Sequence, residues 1–142
     1  MAIRAKHIMS GKISVGPDTT AKEVAHKMIT HGQPGLPVVN EAREVVGVVT
    51  EFNVLGAVRE GMDMGKITAA RIMTANPTTA DINTSTDDLI QMMLLNNFTL
   101  VPIVSDGKYA GLVSRHSIMD ALVSPDFTIF STKELRDALV GA

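Results

Sequence analysis

Two short segments place polar side chains where a predicted strand runs into a predicted helix. They read GVVTEFN at 47–53 and GLVSRHS at 111–117. A hydroxyl at a helix start, with a polar side chain three residues on, can hydrogen-bond hydroxyl groups of a ligand, and the free backbone N–H groups there favour phosphate. Thr50 and Ser114 are also good helix N-caps with nothing bound, so a purely structural role stays open.

The two segments differ in charge beside the helix start. Arg115 and His116 give the second segment one permanent and one titratable cation, which suits a polyphosphate. The first segment has Glu51 at the matching position, where a carboxylate disfavours an anion. We therefore expect two sites with different ligand preferences, unless Arg115 and His116 are an ordinary solvated pair.

Other kinds of site chemistry find little support in the sequence. The chain has no cysteine, which excludes disulfides, thiolate metal sites and a thiol nucleophile. Its four histidines lack zinc-ligand spacing together with a third ligand. Neither Gly-x-Ser-x-Gly nor a Walker loop occurs, and the adjacent residues 114–116 point apart on a helix. We expect neither catalysis nor a metal site.

Composition indicates a folded chain with an aliphatic core. Of the 142 residues, 45% are hydrophobic and only 4% are aromatic. A net charge of −2 gives no reason to expect nucleic acid as a partner. No apolar run approaches a signal peptide or a membrane span, so we expect a cytoplasmic protein without membrane insertion.

The chain contains an internal repeat. Three blocks recur in order, 64 or 65 residues apart: KHIMS at 6–10 and ARIMT at 70–74, LPVV at 36–39 and VPIV at 101–104, VGVVT at 46–50 and AGLVS at 110–114. Their common order and nearly constant spacing are more specific than any single block. We call the two halves copy one and copy two.

Each copy predicts the same order of elements, β-α-β-β-α. The first short strands are predicted at 13–15 and 78–80, and the hairpin strands at 36–39 with 45–49 and at 101–104 with 109–113. The patterns TAKE at 20–23 and STDD at 85–88 are typical of capping boxes at a helix start. These helices are predicted to end near Gly32 and Asn97, and a second helix follows from Thr50 or Ser114.

With its Ile-Met-Ser/Thr opening, its Leu-Pro-Val-Val-like strand and its Gly-apolar-apolar-Thr/Ser turn into a helix, each copy resembles a CBS domain. The resemblance covers 5–60 and 69–124, with 61–68 as a linker and 125–142 as a C-terminal extension containing a short helix. It implies a mixed α/β (α+β) fold in which two β-α-β-β-α repeats pack as a pseudo-twofold pair, a Bateman module.

The same resemblance implies a regulatory protein and not an enzyme. Such pairs bind AMP, ADP, ATP or S-adenosylmethionine in their inter-repeat clefts as regulatory ligands, not as obligatory cofactors. They often form homodimeric disks, and this chain would act on a separate enzyme or transporter. The alternative is a scaffold or oligomerisation module that has lost nucleotide binding. Its motivation is the family's ribose-binding Asp, which is Asn53 in copy one and only Ser117 in copy two.

The family's geometry also implies which residues line the two clefts, since the ribose-binding end of one copy faces the first two strands of the other. One cleft would join Ile13, Ser14, Val15, Leu36, Pro37 and Val38 to Ser114, Arg115, His116 and Ser117. The reciprocal cleft would join Thr78, Thr79, Val101, Pro102 and Ile103 to Thr50 and Asn53.

Overall fold

The computed structural model describes residues 3–123, so the helix predicted within 125–142 lies outside the described residues. The helices are α1 (Ala5–Ile8), α2 (Ala21–His31), α3 (Glu51–Arg59), α4 (Ala69–Ile72), α5 (Thr86–Asn96) and α6 (Arg115–Val123). The strands are β1 (Gly35–Val39), β2 (Val45–Thr50), β3 (Thr74–Ala75), β4 (Ala80–Asp81), β5 (Leu100–Ser105) and β6 (Lys108–Ser114). They form two three-stranded sheets, β1-β2-β3 and β4-β5-β6. The predicted fold class is confirmed.

The first long helix of each copy begins and ends where the sequence predicts. At the start, the hydroxyls of Thr20 and Ser85 each accept a hydrogen bond from the backbone N–H three residues on, at 3.2 and 3.1 Å. At the end, Gly32 (φ 62°) and Asn97 (φ 54°) adopt the left-handed conformation that closes a helix. Local residue chemistry therefore fixes both ends of α2 and α5.

The first strand of each copy differs from the prediction. In copy one only Val15 pairs, in a parallel bridge with Val38, and no strand spans 13–15. In copy two the strand begins at Ala80, parallel to β5, and not at Thr78. The strand of copy two begins late because the preceding strand, β3, belongs to the sheet of copy one. Residues 76–79 must therefore cross between the sheets, and Asn76 turns the chain with a φ of 51°.

The opening segments of the two copies, residues 3–10 and 67–75, are exchanged. In copy one, Ser10 pairs with Leu112 of β6, and the Ala5 N–H donates to the Thr84 carbonyl at 2.8 Å. In copy two, β3 pairs with β2, and the Ala69 N–H donates to the Thr19 carbonyl at 2.7 Å. Each opening segment thus completes the structure of the other copy.

The buried cores follow the same exchange. Ile3, Ala5 and Ile8 belong to the hydrophobic core built by α5, α6 and the copy-two sheet. Ala69 is fully buried in the core of copy one. A smaller cluster, Val48, Leu100 and Leu112, joins the two sheets to each other. The result is a pseudo-twofold pair in which each core depends on both halves of the chain.

The exchange explains the glycine in the repeated VGVVT and AGLVS blocks. A Cβ on Gly111 would lie 2.8 Å from the Ser10 carbonyl oxygen and 2.7 Å from Met9 Sδ. A Cβ on Gly47 would meet the Met73 side chain in the same way. Each glycine therefore lets an opening segment cross its strand at close range.

Candidate ligand cleft

A closed capping network forms at the start of α3. The Thr50 N–H and hydroxyl donate to Asn53 Oδ1 at 2.8 and 3.0 Å, and the Asn53 N–H donates to Thr50 Oγ1 at 3.4 Å. The side-chain oxygen of Asn53, Oδ1, is therefore already hydrogen-bonded within the cap. Its amide NH₂ group is not used by these bonds and can serve a ligand as a donor.

The equivalent network at α6 uses Ser117 in place of an acid or amide. The Ser114 N–H donates to Ser117 Oγ at 2.8 Å, and the Ser117 N–H donates to Ser114 Oγ at 3.0 Å. The Ser117 hydroxyl in turn donates to the Ser114 carbonyl at 2.8 Å. A serine at this position preserves the helix start, but it supplies no carboxylate for a ribose.

Arg115 is held on its own copy. Its Nε donates to the Phe98 carbonyl and its Nη2 donates to Asn97 Oδ1, both at 2.8 Å. These acceptors lie just beyond the C-terminal end of α5, where carbonyl groups attract a cation. The guanidinium thereby satisfies acceptors at the C-terminal end of α5, and Arg115 does not line the cleft beside Ser114.

That cleft lies between the two copies and has a volume of about 270 Å³. From α6 and the residue before it come Ser114, His116, Ser117, Asp120 and Ala121. From copy one come Ile8, Met9, Ser10, Gly32 and Gln33. Helix-start hydroxyls, one carboxylate and one imidazole therefore converge on a space that both halves of the chain enclose.

A larger groove of about 530 Å³ adjoins the cleft. Its apolar walls are mostly side chains of α2 and α3, including Met28, Ile29 and Leu55. Gly32, Gln33 and His116 line both the groove and the cleft. A ligand that moved the His116 ring would therefore change the surface of the groove as well.

The structure brings together only part of the residue set that the sequence predicts for this cleft. Ser114, His116 and Ser117 line it, whereas Leu36, Pro37 and Val38 are buried in the copy-one sheet. Ser14 and Val15 line a separate polar cavity of about 370 Å³, where Lys27 Nζ donates to the Ser14 carbonyl at 2.6 Å. The Ile13 carbonyl accepts a hydrogen bond from the hydroxyl of Tyr109.

The reciprocal set is arranged in a similar way. Thr50 and Asn53 are half-buried at the start of α3, while Val101, Pro102 and Ile103 are buried in β5. Thr78 is exposed and Thr79 half-buried on the crossing between the sheets. The capping pair is thus accessible in this copy, and the three strand residues belong to the core.

Several cleft residues were missed from the sequence. Ser10 lies in a repeated block, KHIMS. The repeat marks it as a candidate, but only knowledge of the exchanged opening segments places it in this cleft. Gln33 and Asp120 lie outside every repeated block, so nothing in the pattern marks them.

Two general properties of residues 3–123 bear on the chemistry. Among them, no group of three His, Asp or Glu side chains lies close enough to hold a metal ion. In the same stretch of chain, none of the helices has the length and apolarity needed to cross a membrane.

Comparison with known proteins identifies the repeat. The family model described as CBS domain matches residues 5–60 and 69–124. An uncharacterized protein of Methanopyrus kandleri is 31% identical over 75% of this chain, which spans 56% of that relative's length. An uncharacterized 17.7 kDa protein of Acidianus ambivalens is 30% identical over 87% of this chain and 75% of its own length.

A solved structure of a CBS domain pair also aligns with this chain. The CBS domain pair of protein MJ0100, solved in complex with 5′-methylthioadenosine and S-adenosyl-L-methionine, aligns with a TM-score of 0.71 and 28% identity. The alignment covers 84% of this chain and 94% of that one.

Proposed function

Because the chain belongs to the CBS-domain family, whose pairs are regulatory modules, we propose that it senses an adenosyl ligand in the cleft between α6 and copy one. The observation that carries the proposal is the convergence of Ser114, Ser117 and His116 on a cavity that both copies enclose. A ligand there would contact both halves of the pair at once. Its occupancy could then be passed to a partner protein, for which a separate enzyme or transporter is our proposal.

The charges in the cleft favour an adenosyl compound with few or no phosphates. Hydrogen bonds hold the Arg115 guanidinium at the end of α5, so the ionisable side chains that line the cleft are the carboxylate of Asp120 and the imidazole of His116. A triphosphate would face Asp120 without a fixed cation in the lining, which is unfavourable. 5′-Methylthioadenosine, S-adenosylmethionine and AMP are therefore better candidates than ATP. The first two are the compounds with which the MJ0100 pair was solved, which supports them as candidates.

Calorimetric titration tests the proposal. We expect heat of binding with S-adenosylmethionine, 5′-methylthioadenosine or AMP, and weaker binding of ATP. Ser117→Asp retains an acceptor for the Ser114 N–H and adds a carboxylate for the ribose, so it should tighten binding by roughly fivefold to tenfold. Ser117→Ala is the matched control and should not tighten it. The absence of heat and of any thermal shift with all four compounds would refute the proposal.

A second candidate function is a scaffold that binds no nucleotide. The two capping networks favour it, because they already use the side-chain oxygen of Asn53 and the hydroxyl of Ser117 in hydrogen bonds within the protein. In that case partner capture from a lysate would be the same with and without adenosyl compounds. Tighter ligand binding by Ser117→Asp would contradict this second candidate.

We also propose that the protein is a homodimer. Pairs of this family typically dimerise, and the apolar groove beside His116 is open to solvent in the single chain. If a second copy covered that groove, a ligand that moved His116 would change the contact between the two copies.

A further inference from the structure

The carboxylate of Asp120 lines the ligand cleft and has no counterpart in copy one. It comes six residues after Ser114, and the residue six after Thr50 is Gly56. Asp120 is exposed and lies three residues beyond Ser117, a spacing that puts both side chains on one side of α6. The carboxylate therefore stands about one helical turn from the capping hydroxyls, on the wall that faces the ligand.

The C-terminal end of α2 adds negative potential from copy one. This helix ends at Gly32, and Gly32 and Gln33 both line the cleft. The last carbonyl groups of a helix have no partner within it and carry partial negative charge, which favours a cation nearby. Asp120 and the end of α2 thus act on the same space with the same sign.

The equivalent helix end in copy two already holds a cation of the protein itself. Beyond α5, Asn97 Oδ1 and the Phe98 carbonyl accept hydrogen bonds from the Arg115 guanidinium. At the place of Arg115, copy one has Glu51, which lines the groove beside Gly32. Copy one therefore brings a second carboxylate, and not a cation, to the helix end that reaches the cleft.

Basic side chains around the cleft do little to offset these charges. Within residues 3–123, the lining contains one basic side chain, the imidazole of His116. Helix α1 packs against α6, but its Lys6 and His7 are exposed and do not line the cleft. A permanent positive charge is thus missing from the lining that the described residues form.

The start of α6 is also a poor anion site, because its backbone donors are in use. The Arg115 N–H donates to the Thr99 carbonyl at 3.2 Å, and the Ser117 N–H donates to Ser114 Oγ at 3.0 Å. Two of the first three N–H groups of this helix are therefore spent within the protein. The usual attraction of a helix start for phosphate is weakened here.

We propose that Asp120 is a specificity-determining residue, which makes this cleft select an adenosyl compound with a positive charge beside its ribose. The sulfonium group of S-adenosylmethionine is such a charge. It has no N–H to donate, so a nearby carboxylate stabilises it by Coulomb attraction. This inference rests on the proposed adenosyl sensing and narrows it from compounds with few phosphates to a cationic one.

A matched pair of ligands tests the inference in the full-length protein. S-adenosylhomocysteine lacks one methyl group and the sulfonium charge of S-adenosylmethionine and is otherwise the same. In calorimetric titration, wild type should bind S-adenosylmethionine roughly threefold to fivefold more tightly, the size expected of an exposed ion pair. Asp120→Asn should remove most of this preference by weakening the binding of S-adenosylmethionine. Asp18→Asn, the same change at an exposed position outside the lining, is the control and should leave the preference intact.

Charge reversal separates selectivity from a general effect on the fold. Asp120→Lys should weaken the binding of S-adenosylmethionine and strengthen that of AMP, an anion. A residue that only supported the cleft would change both affinities in the same direction. Circular dichroism checks that each variant is folded.

Added salt gives an independent readout. Because the attraction is between charges at an open cleft, the preference for S-adenosylmethionine over S-adenosylhomocysteine should shrink as salt is raised. A preference that came from packing of the extra methyl group would not depend on salt.

His116 is the other ionisable group of the lining, and His116→Gln removes its contribution. The preference for the sulfonium compound should persist in this variant. Its loss there would assign the selectivity to His116 and overturn the role of Asp120.

Two further outcomes distinguish this inference from the function on which it rests. Equal binding of the two compounds by wild type, or an unchanged preference in Asp120→Asn, would overturn the inference and leave adenosyl sensing standing. The absence of binding by every adenosyl compound would overturn both.

Discussion

Tyr109 is the single tyrosine of a chain without tryptophan, and it joins the two copies at their edge. Its hydroxyl donates to the Ile13 carbonyl at 2.7 Å, and its backbone N–H donates to the Arg43 carbonyl at 2.9 Å. Burial raises the pKa of the Tyr109 phenol well above its usual value of about 10. The phenol is therefore a residue-scale reporter of contact between the copies.

We expect the native protein to show no phenolate absorbance where free tyrosine ionises. A raised pKa in the folded state means that the phenol's contribution to stability is present below about pH 10 and is lost as pH rises above it. Tyr109→Phe should cost about 1 kcal/mol at neutral pH, from the lost hydrogen bond. It should also weaken the decline of stability above pH 10, as measured by urea unfolding across pH. Ordinary titration of the native phenol would contradict this.

Residue-scale prediction succeeded where the cause is local and failed where it is not. The caps Thr20 and Ser85 and the left-handed ends Gly32 and Asn97 follow from their own residue types. The direction of Arg115 does not, because its acceptors come 17 and 18 residues earlier in the chain. The predicted cleft residues in β1 and β5 are apolar, and apolarity alone does not separate a base-binding wall from a buried sheet.

At the scale of elements, the exchange of opening segments was beyond sequence patterns. The repeat shows that KHIMS and ARIMT are equivalent, but equivalence leaves open which copy each one packs against. Both sheets offer the same glycine, Gly47 or Gly111, for the crossing. The choice depends on chain connectivity and on the cores, which no single block encodes.

The exchange predicts that a substitution in one opening segment destabilises the other copy. Ala5 and Ala69 are fully buried, so Ala5→Leu and Ala69→Leu should each cost about 1–3 kcal/mol through overpacking. Hydrogen exchange should show Ala5→Leu loosening β5 and β6 first, and Ala69→Leu loosening β1 and β2. Lys6→Leu, on an exposed neighbouring position, is the control. Loosening confined to the copy that carries the substitution would contradict the exchange as a stabilising contact.

At the scale of the whole molecule, the two copies share their cores and are not two self-contained structures side by side. Each core contains residues from both halves of the chain, and Val48, Leu100 and Leu112 join the sheets. The sequence predicted the two copies and their pairing correctly. It could not predict this interdependence, because a repeat looks the same whether its copies are independent or entwined.

We expect a single thermal unfolding transition in scanning calorimetry, with equal calorimetric and van't Hoff enthalpies for a given oligomeric state. An adenosyl ligand at about 100 times its dissociation constant should stabilise the protein by about 2.7 kcal/mol and shift the whole transition upward. Two separate transitions, or a ligand shift of only one of them, would show that the copies unfold independently.

The exchange of opening segments also has a consequence for the order of events during synthesis. Ser10 reaches its partner Leu112 only after a further 102 residues, and Ile3 meets Thr86 after 83. Residues 3–10 are therefore synthesised before the partners they pack against and can be placed only after most of copy two has been made. Folding of the pair should therefore finish only after copy two has been made, in one late step that closes both halves together.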